Sequence, residues 1–204
     1  MPTIINRASN DCSSFTKNPS KGDLRDLRDI KRKREFKPKK IKVLFACESL
    51  PSDTNNFFYY KHSILFDNTL KAFQNVFPKI TQATFLDRFK ALAFYLDDLC
   101  GEPVNQLKNT SQEKKKRICL RKLYEPDFAK RLELYNPQFI IITPKEITNN
   151  ILDIFSRCGI NVPYKELSFP AGSQTNVKDY KTGLVAVLKE LIEKNVIRPP
   201  LKST

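Results

Sequence analysis

Histidine is nearly absent: His62 stands alone in the chain, so no site can be built on several imidazoles. With no G-x-S-x-G elbow beside it, the sequence argues against a Ser-His-Asp hydrolase. Glycine is scarce too. Five occur in all, and neither G-x-x-x-x-G-K-[ST] nor G-x-G-x-x-G is present, which removes the usual nucleotide cradles. The five cysteines (Cys12, Cys47, Cys100, Cys119, Cys158) are odd in number, and no two lie closer than 19 positions. Without a C-x-x-C pair, neither a zinc ribbon nor a compact iron–sulfur site is indicated, so no metal cluster and no other cofactor is expected. Reduced thiols in an intracellular compartment are the plain expectation. No apolar run approaches the ~18 residues of a membrane helix. MPTIINRASNDC at the N-terminus lacks an apolar h-region, so no secretory signal is expected.

What is present is enough for one domain with a tail. The chain has 204 residues, of which 40% are hydrophobic and 11% aromatic, which suffices for a core and is too much for a wholly disordered protein. Charge is strongly one-sided, with 36 Lys/Arg against 22 Asp/Glu and a net of +14. Residues 1–40 hold 12 of the basic and 5 of the acidic groups. They read as a basic, mostly disordered tail, ending in the dense run Lys31, Arg32, Lys33, Arg34, Lys37, Lys39, Lys40. Leu24, Leu27 and Ile30 allow it one weak amphipathic helix. A second basic run comprises Lys108, Lys114, Lys115, Lys116, Arg117, Arg121 and Lys122. Two separated clusters suggest a polyanion partner, because each neutralised phosphate releases counterions. The alternatives are a solvated surface, a nuclear import signal at KRKR in a eukaryote, and an anionic membrane surface.

Strands and helices alternate along residues 41–197, with a short tail at 198–204. Residues 41–47 (IKVLFAC) are a near-continuous apolar run, the mark of a buried parallel strand. Phe66, Leu70, Phe73 and Phe77 recur at helical spacing and Pro78 closes that helix. Residues 91–97 (ALAFYLD) predict a second strand ending at Asp97 and Asp98. The polar stretch 101–122 reads as an exposed basic insertion, followed by a short helix at Phe128, Leu132 and Tyr135. QFIIIT (138–143) is the clearest strand. Thr143-Pro144 opens the next helix, with Ile147, Ile151, Ile154 and Phe155 inward and Gly159 as its stop. An extended piece (161–169) leads to a last helix with Val177, Tyr180, Leu184, Val187, Leu188 and Leu191 on one face. The expected fold is α/β, a three-layer sandwich with a mostly parallel four-stranded sheet flanked by helices. Sites in such sheets lie outside the carboxyl ends of the strands, which here means 48–60, 97–105, 143–146 and 168–176.

The loop at 48–60 is chemically the richest. It carries a carboxylate (Glu48), small hydroxyls (Ser49, Ser52, Thr54), Pro51, and the aromatics Phe57, Phe58, Tyr59 and Tyr60. Aromatics stack on bases, and a carboxylate orients water or stabilises a developing cation. Core packing and turn capping would account for the same residues. Glu48, Asp53, Asp97 and Asp98 could in principle share a divalent cation, but a metal nuclease normally has more acidic ligands arranged around a lysine.

Four pieces in order, KVLFACESLPSDTNNFFYY, FYLDDLCGEPVN, NPQFIIITPKEI and SFPAGSQTNVKDYKTGL, resemble the uracil-DNA glycosylase superfamily, in particular its divergent members. The resemblance spans residues 41–191. It implies an enzyme that flips a uracil or modified pyrimidine out of DNA and hydrolyses its glycosidic bond, for repair or for defence against modified DNA. It assigns Glu48 and Ser49 to catalysis, and Tyr59, Phe58 and Asp98 to base binding. Ser168, Ser173, Gln174 and Lys145 would hold phosphates, with Lys115 and Lys116 adding DNA affinity. The founding enzymes have an Asp followed by Pro in the first motif, where Ser49 and Leu50 stand here, and a His in the last, where Phe169 stands. A catalytically inactive DNA-binding relative is therefore the alternative. A basic RNA-binding protein is a third class, without the aromatic RNP strands or G-x-x-G clamp. With no signal for oligomers, a monomer is the default expectation.

Overall fold

The computed structural model describes residues 12–16 and 30–198. The expected helix at Leu24 and Leu27 and the tail from residue 199 lie outside the described residues. Four strands form one parallel sheet: β1 (Val43–Ser49), β2 (Phe94–Cys100), β3 (Phe139–Ile142) and β4 (Tyr164–Glu166), in the order β2-β1-β3-β4. β1, β2 and β3 are buried on both faces save for Ser49 at the end of β1, which is why they read as apolar runs rather than alternating ones. Helices cover both sides. α2 (Ile64–Val76) packs on α6 (Gln174–Glu193), and α4 (Ser111–Tyr135) packs on α5 (Thr148–Cys158). A short α3 (Phe85–Ala91) lies against β2. This is the expected three-layer α/β sandwich.

Two buried polar contacts fix the helix pairs. Thr69 and Tyr180 share a 2.7 Å hydroxyl bond between α2 and α6. Between α4 and α5, the buried Glu125 accepts from Asn150 and Arg157. Phe45, Phe58, Phe66, Phe73, Phe85, Phe89 and Phe94 form a connected aromatic core under α2 and α3. Among the described residues no helix is long and apolar enough to cross a membrane.

Several boundaries differ from expectation. The second strand begins at Phe94, because α3 runs to Ala91 and Ala93 turns the chain at a φ of 63°. The stretch 101–122 is not simply an exposed excursion. From Ser111 it is helix, continuous with the short helix expected at Phe128–Tyr135. Thr110 and Glu113 form a capping box that starts it, and Pro126 sits inside it. Pro144 precedes a 3-10 turn (Lys145–Ile147), and α5 proper starts at Thr148 and stops at Gly159, whose φ is 64°. Val177 is only partly buried.

The N-terminal segment departs furthest from a loose tail. Residues 30–35 are helical (α1) and residues 30–40 pack on the domain. Phe36 is buried and stacks on Tyr59 at 6.0 Å and 9° between planes. Arg32 lies over the Phe36 ring and donates to the Tyr59 carbonyl. Cys12 is bonded to Cys119 of α4 rather than reduced, while Cys47, Cys100 and Cys158 are free thiols.

Candidate active site

Connections leave β1 toward β2 and leave β3 toward β4, so the topology reverses between β1 and β3. A crevice opens at the carboxyl ends of strands at such a point. Here it is a cavity of about 600 Å³ to which all four expected segments contribute. The size lies within the usual range for small-molecule sites, about 300–1,000 Å³.

Local hydrogen bonds shape its rim. Asp53 accepts from the Asn55 backbone and the Asn56 amide, which holds the 3-10 turn Thr54–Asn56. Ser49 Oγ accepts from the Val104 backbone, and Ser52 bonds Asn105, so the 48–60 and 101–110 loops are laced together. Phe58 reaches the cavity from a second 3-10 turn (Phe58–Tyr60), Phe57 from the N-cap position before it, and Leu65 from α2.

Glu48, the penultimate residue of β1, is almost fully buried and lines the cavity. It is not free. Arg117 Nε donates to its Oε1 at 2.6 Å and the same guanidinium bonds Oε2. Arg121 Nε donates to Oε1 at 2.7 Å. The two arginines are four apart on α4 and so share one face. Burial alone would raise the Glu48 pKa, but the Arg117 bonds and the charge of Arg121 outweigh it and hold the carboxyl below its ordinary value. Glu48 is thus a fixed anion and a weak base. Arg117 and Arg121 also line the cavity.

Asp98, a second buried carboxyl at the cavity, lies in an ion cluster completed by the N-terminal segment. Lys33 Nζ bonds Asp97 Oδ1 at 2.8 Å and Asp98 Oδ2 at 2.9 Å. Asp97 also accepts from Arg131 at 2.7 Å and Tyr135 at 3.0 Å. Burial works against ionisation of both carboxyls. Lys33 and Arg131 overcome it at Asp97, which falls to about 2, whereas at Asp98 burial and the neighbouring Asp97 prevail and the pKa rises. Asp98 reaches the cavity with one oxygen on Lys33.

Expected site residues divide accordingly. Glu48, Ser49, Phe58, Asp98, Lys145 and Ser168 line the cavity. Tyr59 does not. It is fully buried, its hydroxyl donates to the Leu96 carbonyl at 3.0 Å and accepts from the Leu96 N–H at 2.8 Å, and its ring lies under Phe36. It is a core tyrosine, and the aromatic residues lining the cavity are Phe57, Phe58 and Phe169. Ser173 is the N-cap of α6, accepting from the Asn176 N–H, and Gln174 is exposed in the first turn; neither lines the cavity, whereas Phe169 and Asn176 do. Lys115 and Lys116 are exposed on α4, away from the cavity.

Sequence reasoning missed Arg117, Arg121, Lys33, Asn105 and Thr143. The first two had a signal, the four-residue spacing within the basic run. Lys33 had none, since its partners lie 64 and 65 positions away. Among the described residues no group of three or more His, Cys, Asp or Glu is placed to hold a metal ion. A second, open groove between α2 and α6 is lined by Lys71, Lys178, Lys181 and Lys189 with no carboxylate. No protein-family model matches the chain, and no curated protein matches it.

Proposed function

We propose that the protein is a DNA glycosylase acting on a uracil or modified pyrimidine that is extruded into the cavity between β1 and β3. The observation that carries this reading is the buried, ionised Glu48 at the wall of a cavity which Phe57 and Phe58 also line. A base drawn from the stack is gripped by its faces and its polar edge, and Phe58 and Asp98 offer those contacts. The order of the four strand-end motifs supports the same reading.

The chemistry follows from the charges. The C1′–N bond breaks, its electron pair leaves with the base, and the sugar becomes an oxocarbenium-like cation. Glu48, held ionised by two guanidiniums, stabilises that cation electrostatically and orients water; its weak basicity argues against deep proton abstraction. Water adds at C1′, its proton passes to the departing base, and the products are free base and an abasic site. Arg117 and Lys145 are cations facing the cavity where Phe169 replaces the usual histidine, and they favour the anionic leaving group. The lysine groove and the exposed Lys115 and Lys116 add salt-sensitive affinity for duplex.

One observation favours a second reading, a DNA-binding relative without turnover: both oxygens of Glu48 are engaged by arginine. Incubation with duplexes carrying uracil or modified cytosines, followed by alkaline cleavage, separates the two. Strand scission at one modified base is the expected result. Duplex binding with no scission on any substrate supports the binder.

A further inference from the structure

Three side chains form a row across the sheet at the cavity floor. Cys47 is in register with Asp98, and Ala46 with Ile142, so Thr143 falls beside Cys47. Residues in one row share a face of the sheet, and all three line the cavity. Asp98 already accepts from Lys33. Cys47 is a buried thiol, a weak donor. Thr143 differs from both. It is fully buried, and its Oγ1 is, among the described residues, the buried side-chain polar atom with no hydrogen-bond partner.

A desolvated hydroxyl without a partner destabilises the fold that carries it. Valine has nearly the same shape and would relieve that cost. The protein's own packing therefore gives no reason for oxygen at this position, and the cavity gives one.

We propose that Thr143 is a ligand-contacting residue whose hydroxyl is completed by the extruded base. The proposal rests on the glycosylase reading and deepens it by naming what the site recognises. Thr143 and Asp98 stand two strand spacings apart, about 10 Å between backbones, with Cys47 between them. Polar groups so placed bracket a single six-membered ring and address opposite edges of it. The hydroxyl both donates and accepts, so it pairs with a ring carbonyl or a ring N–H. The ligand class is a pyrimidine polar at both edges.

The test uses the full chain and the variants Thr143→Val and Thr143→Ser. Thermal unfolding is measured without DNA. Binding is read by anisotropy on a duplex with one 2′-fluoro-2′-deoxyuridine or 2′-fluoro-2′-deoxycytidine, against the unmodified duplex. The fluorine withdraws electrons from the sugar cation, so binding is read without cleavage. Thr143→Val is expected to melt above the parent protein, to bind the fluorinated duplex about tenfold more weakly and to bind the unmodified duplex equally well. Thr143→Ser is expected to stay near the parent in both. A lower melting point for Thr143→Val would overturn the proposal, because the hydroxyl would then have a partner in the free protein. Undiminished affinity for the fluorinated duplex would overturn it as well. If the parent protein itself binds neither fluorinated duplex better than the unmodified one, the glycosylase reading falls and this proposal with it; that outcome is visible in the parent alone.

Discussion

Glu48→Gln is expected to slow base release in single turnover by about 10²–10⁴-fold while duplex affinity stays within about threefold. The amide keeps the shape of the carboxylate and removes its charge, so it cannot stabilise an oxocarbenium-like sugar. Duplex affinity should hold because the lysines proposed to meet phosphates lie elsewhere, in the α2–α6 groove and on the outer face of α4. The substitution also leaves Arg117 and Arg121 partly buried without a counter-charge, so a fall in melting temperature should accompany it. Glu48→Asp keeps the charge and is expected to recover part of the rate, which separates a lost charge from a damaged fold. An unchanged rate in Glu48→Gln would remove Glu48 from the chemistry. The lowered pKa adds a pH signature: Glu48 stays ionised through the mildly acidic range, so its titration should impose no loss of rate between about pH 5 and 8.

The largest effect on stability is expected from Lys33→Met. Lys33 is the counter-charge to two buried carboxylates, and removing one partner of such a cluster costs about 3–5 kcal/mol. For a domain of this size that corresponds to a fall in melting temperature of about 6–20 °C at pH 7. The deficit should narrow at pH 4, where the abandoned carboxyls take up protons. The sign for Asp97 follows from its folded pKa of about 2. A depressed carboxyl contributes stability that is complete above its unfolded value, ~3.9, and is lost as pH falls toward the folded one. Stability measured by urea unfolding should therefore fall between pH 4 and pH 2 more steeply in the parent than in Asp97→Asn. Asp98 shifts upward and opposes this trend, which is why the comparison with Asp97→Asn, and not the raw slope, is informative. A Lys33→Met variant as stable as the parent would show that α1 is not an integral part of the domain.

β1, β2 and β3 are legible because they are continuous apolar runs, and IKVLFAC and QFIIIT have no competing reading, whereas the short β4 (YKE) is exposed and carries no such signal. The rule that sites lie at strand carboxyl ends points to all four segments that line the cavity. α4 was hidden for two reasons. Pro126 reads as a helix breaker, and the first turns of α4 face solvent with lysines, so no apolar stripe marks them. Its length depends on tertiary anchors, Arg117 and Arg121 on Glu48 and Arg131 on Asp97, which no local pattern records. α1 was hidden because its composition is that of a solvated tail, and only Asp97 and Asp98 reveal why Lys33 is there. Tyr59 was misplaced by the run of four aromatics, which cannot say from sequence alone which ring faces a ligand and which faces Phe36.

In the proposed function the cavity receives a nucleobase turned out of a duplex. A duplex with 2-aminopurine next to a single deoxyuridine or modified deoxycytidine reads this directly, because the fluorescence of 2-aminopurine rises when its neighbour leaves the stack. Glu48→Gln is the protein to use, since it should bind without cleaving. A rise in fluorescence on binding at one of these bases, absent with an unmodified duplex, is the predicted result. Saturable duplex binding with no change in fluorescence at any of them would contradict the account.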